Sequence, residues 1–194
     1  PMLRRYGRLT CLEPSELGRR LTRETVDGDL DLRDGLWPHA SGLAPDERFD
    51  LIAMLDVLEH VDDPAAALAE VRARLAPGGR LVVTVPAYRW MWSAHDRMLH
   101  HRTRYTMRGL RSELEDAGLR VDALSGFNAV LLPAAIAARG AFTLLRVDRS
   151  PGSAVPVPLV NRALGAAFAA EVPLVARGAR LPFGLSVLAV SSVA

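Results

Sequence analysis

Phe49 to Leu55 reads FDLIAML, and Arg80 to Val85 reads RLVVTV. Both are near-continuous apolar runs, without the polar alternation of a half-exposed strand. That is the pattern of strands covered on both faces in a parallel sheet. Between them, Pro64 opens an Ala-rich stretch with helical spacing that runs to Leu75, and Pro77-Gly78-Gly79 closes it. Parallel neighbours need a crossover, normally a helix, so strand, helix, strand predicts an open, mostly parallel α/β sheet.

The same reading extends outward from this unit. Upstream, Leu9 to Leu12 is a short apolar run closed by Glu13-Pro14-Ser15, a strand leading into a helix start. Glu24 to Asp34 is acidic and punctuated by glycine, and predicts a short strand with a loop. Downstream, Thr106 caps a helix running to about Ala117, Gly118 ends it, and Leu119 to Leu124 predicts another strand. Phe127 to Val147 and Leu159 to Ala176 are Ala/Leu-rich with helical spacing, on either side of a proline- and glycine-rich loop. Residues 127–181 are therefore expected to form a mostly helical, apolar insertion or lid. Gly184 to Val193 (GLSVLAVSSV) predicts the closing strand.

With 194 residues, 49% hydrophobic and 24% charged, the chain suits one globular domain spanning 1–194. All 24 cationic residues are Arg, and the formal net charge is only +2. A cluster at Arg97, Arg102, Arg104, Arg108 and Arg111 is diluted by Glu113, Glu115 and Asp116, so no nucleic-acid partner is expected. The single cysteine, Cys11, excludes an internal disulfide and a cysteine-rich zinc site.

Three stretches together resemble class I S-adenosylmethionine (SAM)-dependent methyltransferases of the small-molecule type found in bacteria. They are F-D-L-I-A-M-L-D-V-L-E-H-V-D-D-P (Phe49 to Pro64), L-A-P-G-G-R-L-V-V-T-V-P (Leu75 to Pro86) and H-H-R-T-R-Y-T-M-R-G-L-R-S-E-L-E-D-A-G-L-R-V (His100 to Val121). The resemblance implies a Rossmann-like sheet whose last strand runs antiparallel, with SAM as cofactor. The family opens with a strand and a glycine-rich D-x-G-x-G-x-G loop, and no such motif occurs here. The match begins in the helix after that loop. A truncated domain is therefore expected, lacking the central first strand and leaving two unpaired edges between the strands at Leu9 and Phe49.

The resemblance also implies site residues. Glu13, ending the second strand of the family, would accept hydrogen bonds from the ribose hydroxyls; alternatively it is a helix N-terminal charge. Asp29 would accept from the adenine amine, with Asp27 competing for the role, and the Leu30 backbone N–H would meet a ring nitrogen. Leu55, Asp56 and Val57 would lie along the methionine moiety. For the acceptor, Tyr88, Trp92, His95, Arg102 and Tyr105 are candidate contacts, although the tryptophans could equally be core. His101 and His60 are candidate bases, since histidine has a suitable pKa; the competing reading makes His100-His101 a structural helix entry. Asp56-x-x-Glu59-His60 resembles a cation cluster of some relatives, but no metal is the favoured expectation.

The expected reaction is methyl transfer to a small-molecule or lipid-linked acceptor, at oxygen. The alternative is a non-catalytic remnant serving as a binding or assembly module. Cytoplasmic localisation is expected, with peripheral membrane contact through 127–176 as a sharper possibility.

Overall fold

The computed structural model describes residues 6–26, 30–37, 42–137 and 158–194. In chain order these form β1 (Thr10–Leu12), α1 (Glu16–Thr25), β2 (Asp31–Arg33), β3 (Phe49–Leu55), a 3₁₀ turn (Leu58–His60), α2 (Pro64–Arg74), β4 (Leu75–Pro86), a second 3₁₀ turn (Arg89–Met91), α3 (Ala94–Met98), α4 (Met107–Asp116), β5 (Leu119–Phe127), α5 (Pro158–Ala176) and β6 (Ser186–Val193). A further helical stretch occupies residues 132–137.

The strands form two sheets. β1 and β2 pair in parallel, Cys11 opposite Leu32. The larger sheet has the order β3-β4-β6-β5. In it β3 and β4 are parallel, and β6 runs antiparallel to both β4 and β5. The fold is mixed α/β, with the antiparallel last strand that the family resemblance implies. β1 and β3 each have one strand partner among the described residues. The segment 42–48 ties the two sheets: Arg33 Nη1 donates to Gly42 O (3.0 Å) and Glu47 Oε2 (2.7 Å), while Arg74 Nη1 donates to Ala44 O (2.6 Å).

Helix starts follow the capping rules read from the sequence. Ser15, Asp63 and Thr106 each accept from the backbone N–H three residues on, at Gly18, Ala66 and Gly109. Pro64 takes the first helical position of α2, where its missing N–H costs nothing.

Two boundaries differ: β5 continues to Phe127, where a helical stretch is expected, and the end of α2 departs from the sequence reading. Pro77-Gly78-Gly79, read as a helix terminator, lies inside the 12-residue β4. Leu75 pairs with Phe49, the register then slips, and pairing resumes at Leu51 with Arg80. Gly78 takes φ +79, and a Cβ on Gly79 would sit 2.9 Å from the Phe49 carbonyl oxygen, so glycine absorbs the irregularity.

The core gathers Ile52 and Met54 of β3, Leu68 and Val71 of α2, Leu81, Val83 and Val85 of β4, Leu110 and Leu114 of α4, and Val187 and Ala189 of β6. At about 1.5–3 kcal/mol for each large side chain taken out of water, this cluster is the main stabilising term. At the other end of β5 and the start of β6 the backbones cross closely. A Cβ on Gly126 would meet Phe183 O at 2.1 Å, and one on Gly184 would meet Phe127 O at 2.2 Å. α5 is anchored near this crossing: buried Glu171 accepts from the N–H of Ala129 at 2.8 Å, and Phe127 and Phe168 pack edge to face at 5.2 Å.

Candidate active site

Parallel α/β sheets bind ligands beyond the carboxyl ends of their strands. Here those ends are marked by backbone strain. Four non-glycine residues among those described have positive φ: Asp56 (52°), Tyr88 (62°), His100 (56°) and Asn128 (60°). The first two directly follow β3 and close after β4, and the third sits in the loop beyond β4. Strained backbone persists where surrounding structure over-determines it, and it clusters at functional sites. Asp56 is held by its N–H, which donates to both Thr84 O (3.0 Å) and Thr84 Oγ1 (3.1 Å). Tyr88 is held by its N–H donating to Tyr105 O at 2.9 Å.

The loop from Ala87 to Tyr105 is closed on itself around Asp96, which is 0% exposed. Its Oδ2 accepts from Ser93 N and Ser93 Oγ, each at 2.8 Å, completing a capping box at the start of α3. Arg104 clamps it with two contacts, Nε to Oδ1 at 2.6 Å and Nη2 to Oδ2 at 3.1 Å, and reaches Ala87 O at 3.0 Å with Nη1. His101 Nδ1 adds a contact at 2.9 Å. Burial by itself would raise this carboxyl; the bonds from Arg104, Ser93 and His101 outweigh it and hold Asp96 well below the ordinary carboxylate range.

That ionisation fixes His101. A carboxylate can only accept, so Nδ1 carries the proton of that bond, and Nε2 is the ring nitrogen turned to the rest of the site. Nε2 faces Glu59 Oε1 at 4.0 Å. Glu59 is 1% exposed, and neither of its carboxylate oxygens has a hydrogen-bond partner among the described residues. Burial pushes its carboxyl up to about 7. The His60 ring meets the His101 ring edge to face at 4.7 Å, and burial with the neighbouring imidazole lowers its pKa. The backbone joins the same two segments, Arg102 N–H donating to Glu59 O at 2.7 Å. Glu59, His60 and His101 thus meet, with His60 open to solvent.

The other predicted residues distribute as follows. Glu13 lies half-buried after β1, with Oε1 accepting from Ser15 N–H at 2.9 Å, which leaves lone pairs of the carboxylate for further donors. Asp29 and Asp27 lie outside the described residues; Leu30 is half-buried just before β2. Leu55 and Asp56 are exposed at the carboxyl end of β3, and Val57 packs on the core. Tyr88 stacks on Trp90 at 5.5 Å, and Trp92 and His95 are half-buried. Arg102 turns outward to Asp62 at 2.8 Å. Tyr105 is packed in the core, because its strand-like bridge to Ala87 turns the ring inward. A shallow depression of about 450 Å³, lined by Arg48, Arg72, Leu75, Pro77 and Val193 among others, lies at the opposite, amino ends of β3 and β4.

The family profile described as "Methyltransferase domain" matches residues 4–124. The chain belongs to this methyltransferase-domain family. No curated protein matches the sequence significantly. Among solved structures, the domain is similar to one from the complex between the Haloferax volcanii Trm112 methyltransferase activator and a methyltransferase. That match has 19% identity and a TM-score of 0.59, and covers 99% of this chain and 76% of that one. It is also similar to a SAM-dependent methyltransferase of Thermotoga maritima described as a possible histamine N-methyltransferase, at 15% identity, TM-score 0.55, covering 99% and 75%. A third similar structure is the glycopeptide N-methyltransferase MtfA complexed with SAM, at 15% identity, TM-score 0.55, covering 100% and 81%. These likenesses establish the methyltransferase fold.

Asp96 and Arg104 were not among the sequence candidates. The Ser93-x-x-Asp96 capping box is visible in the sequence, but the partners of Asp96 lie five and eight residues further on in a non-repetitive loop, at spacings that carry no periodic signal.

Proposed function

We propose that this methyltransferase domain transfers a methyl group from SAM to a hydroxyl of a small or lipid-like acceptor. The observation that carries the reading is the His101 ring, held at 2.9 Å through Nδ1 by the buried Asp96 carboxylate, beyond the carboxyl ends of the parallel strands. SAM, when bound, supplies a sulfonium-borne methyl group open to in-line attack, so placing the acceptor oxygen provides much of the rate. His101 Nε2 takes the hydroxyl proton, and Asp96 compensates the imidazolium that forms. His60 stands at the mouth of the cluster as the second ring.

Glu13 and the Leu55-Asp56-Val57 turn, exposed at Leu55 and Asp56, suit the ribose and methionine portions of SAM. The sequence contains no D-x-G-x-G-x-G stretch, so these residues account for part of a cofactor surface. For the acceptor, α5 exposes Phe168, Val172 and Leu174, and Val130 nearby is exposed as well. Such a surface supports an apolar acceptor or contact with a lipid interface. No helix among the described residues is long and apolar enough to cross a membrane. Failure to co-sediment with liposomes would remove the interfacial part of the proposal.

The deciding experiment is calorimetric titration of SAM and S-adenosylhomocysteine, followed by methyl-transfer assays on a panel of phenols and long-chain alcohols. The reading expects binding, with His101→Gln lowering turnover by about 10²–10⁴-fold while SAM affinity stays unchanged. A folded chain that binds neither compound would overturn the reading in favour of a non-catalytic binding module.

A further inference from the structure

We propose that Glu59, His60 and His101 form a binding site for a divalent transition-metal cation, ligated by one carboxylate and two imidazoles. One ligand atom from each of the three lies within 4.8 Å of the others. Tetrahedral ligands at bond lengths of about 2.0–2.1 Å stand about 3.3 Å apart, so the cluster closes on a cation by small side-chain rotations.

The state of Glu59 is the independent sign of a missing partner. A carboxyl group that is 1% exposed, with neither oxygen hydrogen-bonded among the described residues, is costly unless something satisfies it. Among the described residues no arginine pairs with it: Arg104 of the same loop is committed to Asp96 and Ala87 O. His101 is preset for ligation. Its Nδ1–H is held by an ionised, fully buried carboxylate, leaving Nε2 directed at Glu59, which is the carboxylate–histidine–metal arrangement of metal sites. The solvent-facing side at His60 leaves room for further ligands from water or an acceptor oxygen.

The ligand chemistry narrows the class of cation. Two imidazoles with one carboxylate favour zinc, cobalt, manganese or iron(II) over magnesium or calcium, which prefer oxygen alone. Asp56, the first member of the pattern visible in the sequence, does not join the cluster; His101, from a loop more than forty residues later, takes its place. The inference deepens the methyl-transfer reading. A bound cation would engage the same Nε2 lone pair that otherwise accepts a proton, and would activate a coordinated hydroxyl in its stead.

The test uses the full chain, without SAM or acceptor, so its failure is separable from failure of the methyl-transfer reading. Cobalt(II) is titrated and its visible d–d absorption followed, then displaced by zinc. The expected result is one cobalt per chain, with affinity at least 100-fold weaker in Glu59→Gln and in His101→Gln. Loss of about 10–100-fold is expected in Asp96→Asn, which removes the charge that orients His101 and takes away no ligand. His60→Ala, an exposed position with little bearing on folding, should also lose at least tenfold. Circular dichroism verifies that each variant is folded. Wild-type affinity no greater than that of folded His60→Ala and Glu59→Gln would overturn the site.

Discussion

β3 and β4 are adjacent, parallel and about equally apolar, yet they end in different surroundings. In β4, Leu81, Val83 and Val85 are fully buried between α-helices and a second neighbour, β6. In β3, Ile52 and Met54 point into the same core, but Leu51 is 52% and Leu55 is 54% exposed. A run written for burial on both faces obtains it only where the neighbouring elements are present to cover it. The carboxyl ends repeat the contrast. The chain leaving β4 is knotted around Asp96, whereas β3 ends in an open turn at Asp56.

The largest effect should come from the knot. Asp96→Ala leaves the Arg104 guanidinium and the Ser93 capping groups without their acceptor, and breaking a buried charge pair costs about 3–5 kcal/mol. Urea denaturation measures it; a loss under 1 kcal/mol would show that the loop beyond β4 holds without its hub. Next, Leu81→Ala should cost about 2–5 kcal/mol through lost burial and a residual cavity. Leu51→Ala, one strand away, should cost no more than about 1 kcal/mol, since half of that side chain is already in water. Equal losses at the two positions, which lie on opposite faces of the sheet, would erase the distinction between its covered face and the open face of β3.

The smallest effect concerns the β1–β2 sheet. The Arg33 guanidinium, through its hydrogen bonds, holds the Asp31 and Glu47 carboxyls below their ordinary values. Their folded pKa values are depressed, so the stabilisation is present above the unfolded values of about 4 and is lost as pH falls through the folded ones. Hydrogen exchange, corrected for intrinsic rates, should therefore show β1 and β2 amides losing protection between pH 6 and pH 3 before those of β4. Unchanged relative protection would contradict it.

These differences also explain what could be read from the residues. Period and capping locate α2, α4, β5 and β6 to within a few residues, because each is set by local chemistry at Pro64, Thr106, Gly118 or Gly184. The pairing of Leu75 with Phe49 is a long-range contact and overrides the local stop signal of Pro77-Gly78-Gly79. Within the site, Glu59, His60 and His101 are visible as residue types that carry chemistry. Their meeting depends on the Arg102-to-Glu59 backbone bond and on the Asp96 knot, which are tertiary features without a sequence period.

The glycine crossing at Gly126 and Gly184 has a bearing on how such a domain can change over generations. Where the two backbones touch, no side chain fits on either, so the points at which the chain leaves the sheet after β5 and re-enters it before β6 are fixed as a pair. What is spliced between them is free of that constraint. Leu181 and Asn128 still bond to Gly126 and Leu185, but lengthening, shortening or rewriting the chain between residues 131 and 179 would leave the register of β5 against β6 in place, so this is where the domain could change without refashioning the sheet.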